Sequence, residues 1–213
     1  MTLAAVAPSE TTHESGGYVK GVAIALVTDN NDTENMCRVK VSYPWRNQPG
    51  ESYWARLATP MAGKERGLVL IPEVGDEVLV AFEREDMRHP YVLGALWNGR
   101  DKPPLEKNGD SKNDKRILKS RKNHYLLFND GAQGVVELAH ERGRKITFDD
   151  NGFVVQDEKG NTVKVDSNSG AMTIEAKGQL NIKAATISIE ATGTLELKAS
   201  ATLTIRGALV NIN

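Results

Sequence analysis

The sequence predicts an all-β chain in two parts, a small antiparallel barrel followed by an intertwined triple-stranded β-helix that three copies build together. Three observations carry that prediction. Short β-rich runs separated by turn residues fill roughly the first hundred positions; a charged, apolar-poor segment follows; and the last third repeats every seven or eight residues.

Residues 1–17 are small and polar, end in Ser15-Gly16-Gly17, show no helical or strand period, and read as a flexible arm. Over residues 18–99 the candidate strands are Val19–Val27, Cys37–Tyr43, Tyr53–Ala58, Gly67–Ile71, Glu77–Phe82 and Tyr91–Leu96. Asp29-Asn30-Asn31-Asp32, Gln48-Pro49-Gly50, Pro72–Gly75 and His89-Pro90 punctuate them. Five or six short strands without an amphipathic helix point to an OB-fold barrel, which by itself names no function.

Residues 100–123 read as a charged neck, because nine Lys and Arg stand against four Asp and Glu, an excess of five. Without interleaved aromatics this is a solvated connector rather than a nucleic-acid site, since stable single-strand binding also needs stacking surfaces. The whole chain agrees, with a net charge of −1 and a pI of about 6.4.

From residue 124 to 213 apolar residues come as pairs two apart, the mark of a short strand with one face buried. Tyr125/Leu127, Val136/Leu138, Ile146/Phe148, Val154 with Phe153 or Val155, and Val163/Val165 come first. The candidate β-helix core follows: Met172 and Ile174, Leu180 and Ile182, Ile187 and Ile189, Leu195 and Leu197, Leu203 and Ile205, Val210 and Ile212, with pairs spaced by 8, 7, 8, 8 and 7. One chain cannot close a solenoid on eight residues per coil, whereas three chains supply about 24 residues per turn, above the roughly 20 that known coils need. Small residues such as Ala176, Gly178, Ala184, Gly193 and Gly207 suit the corners. Stacked at 4.8 Å, the steps from Tyr125 to Val210 make a shaft of about 50 Å.

No catalytic, metal or cofactor site is expected. His13, His89, His124 and His140 are scattered, and the lone Cys37 can form neither a disulfide framework nor a thiolate metal site. His140-Glu141 lacks the second His of a zinc-protease helix, and Gly63-Lys64 lacks a P-loop frame. Trp45, Trp54 and Trp97 are assigned to barrel packing or an interface rather than ligand stacking. No stretch approaches the ~18 apolar residues of a spanning helix, and no secretory signal is visible, so synthesis in the cytoplasm is expected.

Four blocks are similar to a known family: Arg38–Trp45, Tyr53–Gly63, Gly67–Phe82 and His89–Gly99. They resemble the OB-fold region of VgrG-type spikes and of phage baseplate assembly protein V, in the same order and spacing. The resemblance implies a non-enzymatic homotrimeric spike at the tip of a contractile tail, in a phage, a type VI secretion system or an extracellular injection system. It implies assembly into a tail particle, transient contact with a target membrane on puncture, and room for an effector cargo. Full VgrG proteins carry a large hub before the barrel, whereas about 17 residues precede it here, so a separate hub protein is expected as partner. A PAAR-repeat tip protein is expected to dock on Leu209, Val210, Asn211, Ile212 and Asn213. The competing expectation is a β-helical polysaccharide-degrading tail protein, which would need a carboxylate pair on the shaft.

Overall fold

Strand formation follows the valine-rich alternation of the first hundred residues. The computed structural model describes residues 17–47, 50–105 and 112–212; the arm over 1–17 therefore lies, apart from Gly17, outside the described residues, as do part of the neck and Asn213. The chain divides into two compact units, residues 1–107 and 108–213.

In the first unit β1 (Val22–Asp29), β2 (Arg38–Ser42), β3 (Ala55–Leu57), β6 (Glu77–Phe82) and β7 (Pro90–Ala95) close a barrel in the order β1-β2-β3-β7-β6. All neighbours are antiparallel except β3 and β7. Period-two alternation sends Ala25, Val27, Val39, Val41, Val78, Val80 and Phe82 inward, where with Ala55, Tyr43 and Val92 they form the core. Each fully buried Val contributes roughly 1.5–3 kcal/mol. Closure leaves the barrel no free sheet edge.

Between β1 and β2, Asp32 organises the loop. Its carboxylate accepts the backbone N–H groups of Glu34, Met36 and Arg38 and both Nε and an Nη of Arg38. The Arg38 guanidinium, with these N–H groups, holds its carboxyl pKa far below the usual carboxylate range. Cys37 lies in this loop at φ 56, one residue before β2, and not in the strand expected for it.

Gly67–Ile71 differs more. Only a two-residue ladder forms, β4 (Ala62–Gly63) with β5 (Arg66–Gly67), and Leu68–Ile71 run on exposed with no ladder partner among the described residues. Apolar β-formers make a strand only where a neighbouring backbone is in reach, and here the barrel is already closed without them.

The second unit opens with β8 (Lys115–Lys119), a strand inside the segment whose composition suggested a neck. Ile117 and Leu118 pair with Leu127 and Leu126, which the surrounding Lys and Arg disguise in a composition count. β9 (Tyr125–Asn129), β10 (Val135–Ala139), β11 (Lys145–Asp149), β12 (Gly152–Gln156), β13 (Thr162–Asp166) and β14 (Ala171–Glu175) follow as one antiparallel meander of seven strands. Tight turns join them, and Gly152 is the most constrained residue: at φ 140 a Cβ would stand 2.0 Å from the Val165 carbonyl oxygen. The all-β class and the five-stranded barrel thus match the expectation. Over 115–175 the strand-to-strand hydrogen bonds run within one chain. Residues 176–212 carry no regular strand and are exposed throughout.

Candidate assembly interface

The register of the meander decides which side chains share a face, because directly opposed residues project the same way and neighbours along a strand alternate. One row across the sheet is Arg116, Phe128, Val136, Phe148, Phe153, Val165 and Met172. A second row on that face is Leu118, Leu126, Leu138, Ile146, Val155, Val163 and Ile174. Thirteen of these fourteen side chains are apolar, and the exception, Arg116, is neutralised by Asp130 at 2.5 Å. The face is nevertheless uncovered: Leu138 is 55% exposed and Met172 64%.

The opposite face is polar and better packed. Its central row is Ile117, Leu127, Glu137, Thr147, Val154, Lys164 and Thr173. Glu137, only 9% exposed, accepts bonds from Tyr125 Oη (2.5 Å), Lys145 Nζ (2.9 Å) and Thr147 Oγ1 (3.0 Å). Burial pushes the Glu137 carboxyl upward, but the bonds from Lys145, Tyr125 and Thr147 outweigh it and the net shift is downward. The same bond to Glu137, with burial, raises the Tyr125 phenol. A carboxylate bound to three donors is a structural tie, not a free acid or base. At the turn edge Arg144 clamps Glu158 at 2.8 Å through two nitrogens and lowers its carboxyl pKa to about 2.

The sequence pairs map onto these faces with two corrections. Val136/Leu138, Ile146/Phe148, Val163/Val165 and Met172/Ile174 lie together on the apolar face. In β9 that face belongs to Leu126/Phe128, so Tyr125/Leu127 point the other way, and in β12 it belongs to Phe153/Val155 rather than Val154.

The remaining core candidates are not brought together within one chain. Leu180, Ile182, Ile187, Ile189, Leu195, Leu197, Leu203, Ile205, Val210 and Ile212 are all exposed in the single chain, and the core expected of them is one that three chains build together. The physical reason is that apolar pairs recurring every seven or eight residues leave no neighbouring strand of the same chain to pack against. Ile182, Ile189, Leu197 and Ile205, the second members of their pairs, are each more exposed than the first members Leu180, Ile187, Leu195 and Leu203. Leu180 does line an open groove with Val155, Val163 and Ile174, which carries the apolar row into the tail. Of the expected tip platform, Leu209, Val210, Asn211 and Ile212 are exposed, and Asn213 lies outside the described residues.

Strand pairing also joins residues the sequence left scattered. His124 and His140 stack with ring centroids 4.4 Å apart. Each Nδ1 accepts a backbone N–H, His124 from Glu141 and His140 from Arg142, both at 3.2 Å. Among the described residues no group of His, Cys, Asp and Glu could hold a metal ion. No helix of the described residues is long and apolar enough to cross a membrane.

On the barrel, Trp54 lies under Arg38 and Lys40, whose charges in turn meet Asp32, Glu34 and Glu51. Trp45 packs on Tyr43 with centroids 5.5 Å apart, while Trp97 is 69% exposed and only partly packed.

Comparison with known proteins places this barrel. Residues 23–97 match the type VI secretion system/phage-baseplate injector OB domain. The chain is 34% identical over 94 residues to the type VI secretion system spike protein VgrG3 of Vibrio cholerae, covering 40% of this chain and 9% of that protein. It is 33% identical over 78 residues to the spike protein VgrG1c of Pseudomonas aeruginosa, covering 35% and 11%. The actin cross-linking toxin VgrG1 of V. cholerae is 32% identical over 94 residues, covering 40% and 9%. The chain thus spans about a tenth of the length of the curated relatives it matches. Residues 23–97 thus form a barrel that matches the injector OB domain and is similar to that of the VgrG-type spike proteins.

Proposed function

We propose that the chain is the structural central spike at the baseplate tip of a contractile tail, phage-like or of an extracellular injection system, acting as a homotrimer that pierces the target envelope without enzymatic chemistry. The observation that carries this reading is the uncovered apolar face of the meander, joined to an injector OB domain. Thirteen apolar side chains on one face of a sheet demand a partner, since an exposed apolar patch of more than a few hundred Å² is rare on a monomer.

Three copies supply that partner to one another. Over residues 115–175 each chain forms one wall of a triangular prism, its two apolar rows turned inward. Beyond residue 175 the pairs from Leu180 and Ile182 to Val210 and Ile212 have no ladder of their own, so each chain adds one strand per level to an intertwined needle. In that needle Ile189, Leu197 and Ile205 turn inward with their partners Ile187, Leu195 and Leu203. A dry core braced by hydrogen-bonded walls resists bending in every lateral direction, which axial thrust requires. A hub protein at the barrel, a PAAR-repeat tip on Leu209–Asn213 and an effector cargo are the partners of this reading. Such a protein is made in the cytoplasm and assembled into a contractile tail particle, whether virion-like, cytoplasmic or released extracellularly.

Light scattering on the purified chain tests it. A mass of three chains at micromolar concentration, with rods about 50 Å or more long by electron microscopy, is the expected outcome. A one-chain mass would sink the proposal.

A further inference from the structure

The outside of the barrel carries two apolar surfaces that its own chain leaves bare. The first is the outer wall of β1 and β6. Register sets Val22 opposite Ala81 and Ile24 opposite Leu79, and because Ala25, Val78 and Val80 point into the core these pairs face outward. Trp45 widens the patch, its indole N–H donating to the Ile24 carbonyl at 3.0 Å. Val22, Ile24 and Trp45 are each about half exposed.

The second surface is the segment Leu68–Ile71. Its four residues are exposed by 42, 64, 59 and 37%, so both sides of an extended run are open. Its root is fixed: Leu68 N–H donates to the Met61 carbonyl at 3.0 Å, and Thr59 Oγ1 donates to the Leu68 carbonyl at 2.7 Å. Its exit is fixed as well, with Asn30 Nδ2 donating to the Pro72 carbonyl at 3.1 Å. Four consecutive aliphatic residues thus form a short arm anchored at both ends, with no ladder partner among the described residues.

We infer that in the assembled protein the Leu68–Ile71 arm of each copy lies on the β1–β6 outer wall of the next copy. The inference rests on the three-chain reading above and adds a barrel-to-barrel contact to it. Symmetry supplies the argument for a second copy as occupant. A self-complementary patch serves a twofold pair, whereas a closed ring of three needs two different surfaces that meet head to tail. The barrel offers two such surfaces of like chemistry on separate elements: the arm follows β5, and the wall is made by β1 and β6.

Cross-linking in the full chain tests the contact. With Cys37→Ser as background, the pair Val69→Cys and Ile24→Cys should, on oxidation, run at three-chain mass on denaturing gels, while either single variant stays at one-chain mass. Hydrogen exchange gives a second reading that needs no disulfide geometry. The arm amides of Val69, Leu70 and Ile71 should exchange at least about tenfold more slowly in the assembly than in its Ile24→Glu, Leu79→Glu variant. Arm amides that exchange freely, protection untouched by the wall substitutions, or a link within one chain would each overturn the contact while light scattering still gave three chains. A one-chain mass would instead remove the three-chain reading itself.

Discussion

Leu138 stands directly opposite Ile146 across the β10–β11 ladder, yet Leu138 remains 55% exposed. Such a pair is what a protein interior looks like before its second half arrives. The neighbouring opposed pair, Val136 and Phe148, repeats the arrangement one row away.

A charge placed on that face should therefore block assembly. Ile146→Asp puts three carboxylates into the proposed core and forfeits roughly 1.5–3 kcal/mol of apolar burial per chain. Light scattering should report loss of the three-chain mass. Lys164→Glu, on the polar face, should leave the mass unchanged.

Removal of the Glu137 carboxylate tests the tie on the opposite face. Glu137→Ala strands the partners Tyr125, Lys145 and Thr147 and should cost about 1–3 kcal/mol in denaturant unfolding. The acid response has a definite sign. Because the folded carboxyl titrates below its ordinary value of 4.5, its stabilisation is complete above pH 4.5 and is lost as pH falls through the lowered value. Thermal midpoints measured from pH 6 downward should fall less steeply in Glu137→Gln than in the parent.

Two glycines of the meander should respond differently to alanine. At Gly152 a Cβ would meet the Val165 carbonyl oxygen at 2.0 Å and the backbone stands at φ 140, so Gly152→Ala should destabilise by about 2 kcal/mol or more. Gly143, at φ 82 with open space around it, should lose only about 1 kcal/mol. Equal losses in thermal unfolding would contradict the tight β12–β13 approach.

The barrel can be followed separately, because all three tryptophans, Trp45, Trp54 and Trp97, fall in the first unit. Val80→Ala, at a site of zero exposure, should lower the tryptophan-reported transition by about 2 kcal/mol through lost burial and cavity formation. Far-ultraviolet circular dichroism of the meander should keep its own midpoint.

Much of this molecule is legible in the order of its residues. Valine-rich alternation announces the strands of the barrel, and its four blocks announce the family resemblance. The two-residue pairing after residue 124 likewise announces one-sided strands. What the sequence could not decide is parity. Tyr125/Leu127 and Leu126/Phe128 are equally good apolar pairs, and a slip of one residue turns every side chain of a strand to the other face. Only pairing across the turns, Leu126 with Leu138 and Leu138 with Ile146, selects the face that needs a partner.

For the same reason Ile117 and Leu118 vanish into a charged count until β9 lies beside them, and His124 meets His140 only because adjacent strands align. The chain alone thus determined its class, its repeat and its resemblance, since these are periodicities and motifs written locally. The tertiary structure decided which residues share a surface, since register is fixed by hydrogen bonds between segments and not by any segment itself.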